Sequence, residues 1–511
     1  MAALVDLSPP MWGFLAVVFF CTVKYIKAYH EKSKLDHIPT LGPNGVFTSY
    51  KTVYRWITQA NEIIDEGYRL YPGGIYKIPT MDGWQIVLNG SRLLDDMREA
   101  SDEVLSADVF TEEVLQAWYT MHPNVIKSSY HTDVIRTPLT RNIGPRLSDI
   151  YDEVQAVMSE KIPPSNDWVE VTAQATALDI VVRTANRFFV GLPLCRDPDF
   201  CDLNIKFTSD VFYNSLIINL FPKFLHPVVG RIFTSRKSSL RRMIKHLKPV
   251  IEERLRMREQ FGKDWSDKPN DFIQWCMDAE AHAPPSQRTS VEDLCVRVLF
   301  ANFGSVHATS VVGVFAFTFA LFNLACRPEL FEPLRTEVQT VIEEEGWTKP
   351  ALGKMRLLDS FLMESARLYG VRANGLLRKP LKDFTFSNGV SVPAGALITV
   401  ATRPMMRDDA IFPQGEEFKP FRFAELRERD GEGFKHQMVT PTSDWVLFGQ
   451  GRHACPGRFF ASTVLKLLMA HVLLHYEVKL PNSSKELPPQ FKLLADFAPD
   501  RNAKVLFRKR P

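Results

Sequence analysis

Apolar positions recur at helical spacing along most of the chain up to about residue 372 and at strand spacing in only a few short stretches. Gly74 to Ile78 and Trp84 to Leu88 alternate around Met81-Asp82-Gly83 and predict a hairpin. Strand-like runs return at Gly375 to Leu377, Phe384 to Phe386 and Ala396 to Val400, with Asn388-Gly389 and Pro393-Ala394-Gly395 as turns between them. Thr289 with Glu292 makes a capping box, and the apolar stretch behind it runs without proline to Cys326, where Pro328 stops it. So long and apolar a helix should cross the middle of the fold. Further helices are predicted over Lys354 to Tyr369 and Phe459 to Leu474. The pattern predicts a mainly α fold with a small β portion (α+β). It reads as one large helical domain over residues 46–511, its small sheets assembled from pieces distant in sequence.

The N-terminal segment differs in character. Met11 to Val23 is apolar, short against the ~20 residues that span a bilayer, but Lys24 and Lys27 can snorkel and lengthen it. Asp6 before the run and lysines 24, 27, 32 and 34 after it disfavour a cleaved signal and place the rest of the chain on the cytoplasmic side. Residues 1–30 therefore read as a single-pass membrane anchor, with a monotopic anchor as the alternative. Residues 31–45, with Ile38-Pro39-Thr40-Leu41-Gly42-Pro43, read as a stiff hinge.

Composition narrows the class. With 45% hydrophobic and 24% charged residues the chain is a globular protein, which excludes general disorder. A formal net charge of +3 is too mild to argue for nucleic acid as a partner. The 7 cysteines form an odd set without a C-x-x-C pair, which favours a reducing compartment and argues against a disulfide framework or a zinc site.

The chemistry is concentrated in Phe448-Gly449-Gln450-Gly451-Arg452-His453-Ala454-Cys455-Pro456-Gly457. Its glycines permit close backbone approaches, and Pro456 suits the first position of the following helix. Cys455 is thereby expected at a helix N-terminus, whose partial positive charge favours the thiolate. The bland alternative is a buried, inert cysteine. This turn resembles the haem-binding loop of the cytochrome P-450 monooxygenases, Phe-x-x-Gly-x-Arg-x-Cys-x-Gly, matched by Phe448, Gly451, Cys455 and Gly457. His453 stands where the general pattern has an arginine, a wording common in the fungal branch.

The resemblance implies further roles. Glu364-Ser365-Ala366-Arg367 with Phe418-Lys419-Pro420-Phe421-Arg422-Phe423 is similar to the family's salt-bridge triad, implying that Glu364, Arg367 and Arg422 brace the cysteine loop. Solvated surface charges are the competing reading. Cys455, Phe448 and His453 are implied around the haem, with Cys455 the axial iron ligand. Arg378 and Arg136 are propionate candidates, although the usual Trp-x-x-x-Arg is absent around Arg136. Phe303-Gly304-Ser305-Val306-His307-Ala308-Thr309-Ser310 is similar to the oxygen-groove segment, with Ala308 at the usual threonine. That leaves His307 and then Thr309 for proton delivery; an ordinary interior histidine is the alternative.

The implied protein is a haem-thiolate monooxygenase of the fungal microsomal type. It would carry haem b and insert one oxygen atom into an apolar small molecule, terpenoid or steroid-like, in secondary metabolism. The aromatic stripe of Phe207 to Phe221, with Phe110, Trp118, Leu493, Leu494 and Phe497, would line or roof the chamber, although such stripes are ordinarily core. Electrons would come from NADPH through a separate NADPH-cytochrome P-450 reductase, with cytochrome b5 as a second partner, at the endoplasmic reticulum membrane. Two other readings stay open: a peroxide-using or isomerising haem-thiolate enzyme, favoured by Ala308, and a non-enzymatic membrane haem sensor or carrier.

Overall fold

The computed structural model describes residues 29–80, 83–279, 290–307, 313–370 and 372–511. The apolar run Met11 to Val23 and the predicted cap Thr289 lie outside these. The chain forms two compact units, and each draws on segments far apart in sequence.

The first unit comprises residues 1–107, 372–405 and 493–496. It carries helix α1 (Tyr50–Leu70) and a five-stranded sheet of β1 (Ile75–Thr80), β2 (Gly83–Leu88), β3 (Leu105–Ser106), β4 (Gly375–Pro380) and β5 (Leu397–Val400), in the order β1-β2-β5-β4-β3. The predicted hairpin is present, with Ile75 opposite Leu88 and Thr80 opposite Gly83. β5 then adds in parallel to β2, pairing Gln85 with Leu397 and Leu88 with Val400. This crossover joins strands about three hundred residues apart, and long-range pairing of that kind is what the scattered short runs implied. Asn89, which matches a glycosylation sequon, is 1% exposed and donates to the carbonyls of Gly67 and Tyr71.

The second unit comprises residues 108–371, 406–492 and 497–511 and is mostly helical. The helices used below are α2 (Pro123–Lys127), α3 (Tyr130–Val134), α4 (Pro198–Asn219), α5 (Arg236–Phe261), α6 (Val291–Asn302), α7 (Phe315–Ala325), α8 (Arg356–Leu368) and α9 (Arg458–His475). A three-stranded sheet of Val169–Thr172, Lys504–Lys509 and Tyr476–Lys479 completes the unit. Of the predicted central helix, the described parts are α6 and α7, on either side of residues 308–312, which lie outside the described residues; α7 is capped at Cys326, where the pattern predicted the end. α6 is capped by Ser290, whose Oγ accepts from Asp293 N at 3.3 Å, and it passes into a π-helical turn over Phe303–His307. Such turns insert a residue into the ladder and occur often at functional sites. Nearly every residue of α8 is buried, as an axial core helix requires. α9 is the described helix long and apolar enough to cross a membrane, yet it is 72% buried within the protein. Burial identifies it as a core element.

Candidate functional site around Cys455

The glycine-rich loop closes on itself through its backbone. Cys455 N–H donates to Phe448 O at 2.7 Å, Gly449 N–H to Val446 O at 2.9 Å, and Ala454 N–H to Gly451 O at 3.1 Å. Gly449 has φ +74°, and a Cβ there would lie 3.0 Å from His453 O, so this position requires glycine. Phe448 is buried beneath the loop, whereas residues 453–459 are half-exposed. Pro456 does not begin the helix: Gly457 is the N-cap and Arg458 the first helical residue. The amides of Gly457 and Arg458 are directed at the Cys455 thiol, and the Arg458 guanidinium lies close by. These groups pull the thiol pKa down, but burial outweighs them, so the thiol sits above its ordinary value. This corrects the expectation that the helix end alone would yield a thiolate. Deprotonation would have to come with metal binding, which removes a coordinating thiol's proton outright.

A buried ionic brace ties α8 to the 406–422 segment that precedes this loop in the chain. Arg367 donates through Nε and Nη2 to Glu364 Oε2 and Oε1, both at 2.8 Å, a bidentate pair. Arg422 Nε donates to the same carboxylate at 3.2 and 3.3 Å, and Lys419 N–H adds a bond at 2.9 Å. The guanidiniums spend their remaining donors on carbonyls of the 406–417 segment, at Gly415, Glu417 and Gln414. Glu364 and Arg367 are fully buried and Arg422 is 7% exposed, which rules out solvated surface charges. All three residues come together in one network.

The structure adds a second brace one turn earlier on α8 that sequence reading missed. Asp359 Oδ1 pairs with Lys466 Nζ of α9 at 2.7 Å, while Oδ2 accepts from Arg427 Nη1 at 3.4 Å and Met438 N–H at 3.1 Å. Asp359 and Glu364 thus tie α8 to both flanks of the loop segment. The available signal was weak: an acid within an apolar helix face.

Beyond α6, the π-turn presents Gly304 and Ser305 as half-buried positions directly after a buried run. A Cβ on Gly304 would meet nothing within 4 Å, and the same holds at Gly457. Phe303 stacks on Phe212 of α4, with ring centroids 5.6 Å apart, and meets Phe207 edge-on at 6.5 Å. The stripe predicted as a roof therefore packs on the π-turn. His307 belongs to the described backbone but its side chain does not to the described atoms, and Ala308 and Thr309 lie outside the described residues. Arg136, in a π-turn after α3, reaches the cysteine loop, its Nη2 lying 3.5 Å from Arg452 O. Arg378 is buried in β4 of the sheet unit, donating through Nη1 to Leu377 O at 2.9 Å.

A family model for cytochrome P-450 matches residues 116–507, spanning the brace, the π-turn and the cysteine loop. The chain belongs to the cytochrome P-450 family. Cytochrome P-450 monooxygenase 103 of Postia placenta is 39% identical over 98% of each chain, and monooxygenase 151 of the same fungus is 35% identical over 99% of each. A cytochrome P-450 monooxygenase of Ganoderma lucidum is 32% identical over 97% of this chain and 96% of its own.

Membership in the P-450 family implies a haem cofactor, and the local donor set fits one. Among the described residues no group of three His, Cys, Asp or Glu side chains could hold a bare metal ion. A lone thiol in a loop of backbone amides, bordered by open space at Gly457, suits a metal whose other ligands come from a macrocycle. What sets Cys455 apart from the other described cysteines is the pair of amides facing its sulfur, since burial raises every one of these thiols. Cys195, Cys201 and Cys295 are pushed up to about 12, 11 and 12 by burial, and Cys276 and Cys326 are buried and also raised.

A second polar network escaped the sequence reading. Asp293 and Arg297 of α6 form a buried pair at 3.2 Å. Asp293 also accepts from Asn124 at 3.1 Å and Tyr130 at 3.1 Å, and Arg297 Nη1 lies 2.7 Å from His131 Nδ1. Burial and the neighbouring guanidinium hold His131 down to about 3, so its ring is neutral and accepts the bond. The network fixes α2 and α3 to α6, just ahead of Arg136.

Proposed function

We propose that this P-450 is a membrane-anchored monooxygenase in which Cys455 is the haem-iron ligand. The observation carrying the reading is the Cys455 sulfur facing the Gly457 and Arg458 amides, in a loop closed by the bond from Cys455 N–H to Phe448 O. Bound haem would supply dioxygen activation and the transfer of one oxygen atom to substrate. The protein's part is positional. The amides hold charge density on Cys455 Sγ, while Arg136 and His453 offer cationic and hydrogen-bonding partners to carboxylates beside the loop. Gly304 leaves open space at the π-turn, and Phe207, Phe212 and Phe303 exclude water and favour an apolar, terpenoid- or steroid-like substrate. Proton delivery falls to the His307 imidazole, with the Thr309 hydroxyl second, because Ala308 has none.

Electrons would come from NADPH through a separate reductase, with cytochrome b5 as a possible second donor. A microsomal location with the catalytic part on the cytoplasmic side is supported by the lysines after Val23. It is also supported by an exposed apolar patch at the end of α4 and beyond: Leu216, Leu220, Phe224 and Ile232 are 59, 75, 77 and 69% exposed. A role in secondary metabolism is part of this reading; the relatives support a fungal monooxygenase. Ala308 favours one second reading, a peroxide-using or isomerising haem-thiolate enzyme; NADPH consumption with added reductase separates the two. For ligation, the test is the reduced carbon monoxide complex. The red-shifted thiolate Soret band should vanish in Cys455→Ser and persist in Cys276→Ser, and its survival in Cys455→Ser would sink the assignment.

A further inference from the structure

A small apolar cleft, its enclosed space only about 10 Å³, lies in the helical unit where α2, α4, α5 and α6 meet. Met121, Phe207, Val296 and Phe300 form its walls, and His122 and Arg236 are its polar side chains. Arg236 opens α5 and is half-buried; its Nη1 donates to Trp118 O at 2.9 Å. No carboxylate among the described residues pairs with it, and burial is the one influence that shifts its pKa, downward. A guanidinium partly withdrawn from water without an anion is costly, and it binds a carboxylate in a two-pronged geometry. His122 Nδ1 accepts from Asn124 N–H at 3.2 Å, so the neutral ring carries its proton on Nε2, 3.5 Å from the exposed Glu292 carboxylate.

We propose that Arg236 selects substrates carrying a carboxylate at one end of an apolar body, with His122 as the secondary donor. The proposal rests on the monooxygenase reading above and narrows its substrate class. The enclosed space holds no more than about one water, so the carboxylate would sit at the cleft mouth against Arg236 with the apolar body outside it. The remainder must therefore extend along α6. Val296, Phe300 and Gly304 recur at four-residue spacing, so they share one helix face and span roughly 12 Å at 1.5 Å per residue. An acid held at Arg236 would thus present a carbon remote from its carboxyl to the open space at Gly304. A phosphate is a poorer fit, because the site offers one guanidinium and one imidazole in an otherwise apolar surface.

The test uses the full-length holoenzyme and three matched probe pairs: hexadecanoic acid, a diterpene acid and a triterpene acid, each against its methyl ester. Binding is read by calorimetry, which needs no spectral change at iron, and by the substrate-induced shift of the Soret band. At least one acid should bind about tenfold more tightly than its ester. Arg236→Met should abolish that preference while leaving ester affinity within about twofold, Arg236→Lys should retain part of it, and Arg241→Met, an exposed neighbour on α5, should change nothing. The proposal is overturned if no acid outbinds its ester, if the preference survives in Arg236→Met, or if turnover oxidises the carbon next to the carboxyl. Loss of the thiolate Soret band in wild-type protein alongside Arg236-dependent acid binding would remove the monooxygenase reading and leave the cleft assignment standing.

Discussion

The two sides of the helical unit are held by different forces. On the cysteine side, Glu364, Arg367, Arg422, Asp359, Arg427 and Lys466 form two buried ionic networks whose remaining donors are spent on loop carbonyls. On the roof side, Phe207, Phe212, Phe300 and Phe303 meet by ring contacts, and the outer surface is exposed and apolar. Ionic networks are directional and tolerate few geometries, whereas apolar contacts are non-directional and can repack around guests of different shape. The difference matches the division of labour. A ligand loop needs one geometry, and a chamber roof needs several.

Breaking the rigid side should give the largest effects. Glu364→Ala leaves two buried guanidiniums without their carboxylate, a change that costs ~3–5 kcal/mol. The expected outcome is protein recovered without haem or not recovered at all, measured by haem content per mole and by the thermal midpoint. A haem-replete protein of unchanged midpoint would show that the carbonyl contacts alone suffice. Asp359→Ala should cost less, about 2–3 kcal/mol, because Lys466 also donates to Leu352 O and Arg427 to Gly433 O. Its signature should be faster haem loss to apomyoglobin, with the thiolate band present in what remains.

Legibility in the sequence follows the same division. The Glu364, Arg367 and Arg422 brace is legible only because its two segments resemble the family's, since the spacing alone occurs on any surface helix, whereas the hairpin and the late strands are legible because period-two runs end at Gly and Pro. Asp359 is illegible because its partners Arg427 and Lys466 lie far away in sequence, and the Asp293–Arg297 pair because an acid four residues from an arginine looks the same on a solvated helix as in a core. The π-turn at Phe303–His307 was invisible to periodicity, which sees apolar spacing and not which carbonyl each amide meets. The thiol pKa was misjudged because helix-end charge is visible in a sequence and desolvation is not. Asn89 gives the same lesson: its sequon is intact, yet the side chain is buried, so it cannot report on membrane orientation, whereas exposed Asn482 of the sequon Asn482-Ser483-Ser484 can.

Titration probes an intermediate level. His131 and His471 are each held down to about 3, chiefly by burial, so both are neutral in the folded protein near pH 7. Unfolded, they would take up a proton near 6.5, so below that value the unfolded chain binds more protons than the folded one. Stability should therefore rise with pH between about 3 and 6.5, with each histidine contributing up to ~1.4 kcal/mol per pH unit. His131→Gln should flatten the slope of midpoint against pH by one histidine's share. An unchanged slope would mean that His131 charges within the fold and that its contact with Arg297 is broken.

The smallest expected effect lies on the roof. Phe212→Leu removes the stacked contact with Phe303 but keeps an apolar side chain on α4, and such aromatic pairs contribute ~0.5–1.5 kcal/mol beyond their area. The thermal midpoint should fall by only a few degrees, with haem content and the thiolate band unchanged. The informative readout is ligand selectivity. If the roof is adaptable, widening it at Phe212 should change the rank order of apolar ligands in a Soret-shift screen more than it changes stability. If rank order is preserved while stability drops by several kcal/mol, the roof is as rigidly determined as the brace, and the contrast between the two sides fails. Phe303→Leu sharpens the test, because Phe303 also contacts Phe207 and Phe300 and opens the π-turn. It should perturb selectivity in the same direction and by more, whereas equal effects from the two variants would locate the adaptable element in α4 and not in the turn.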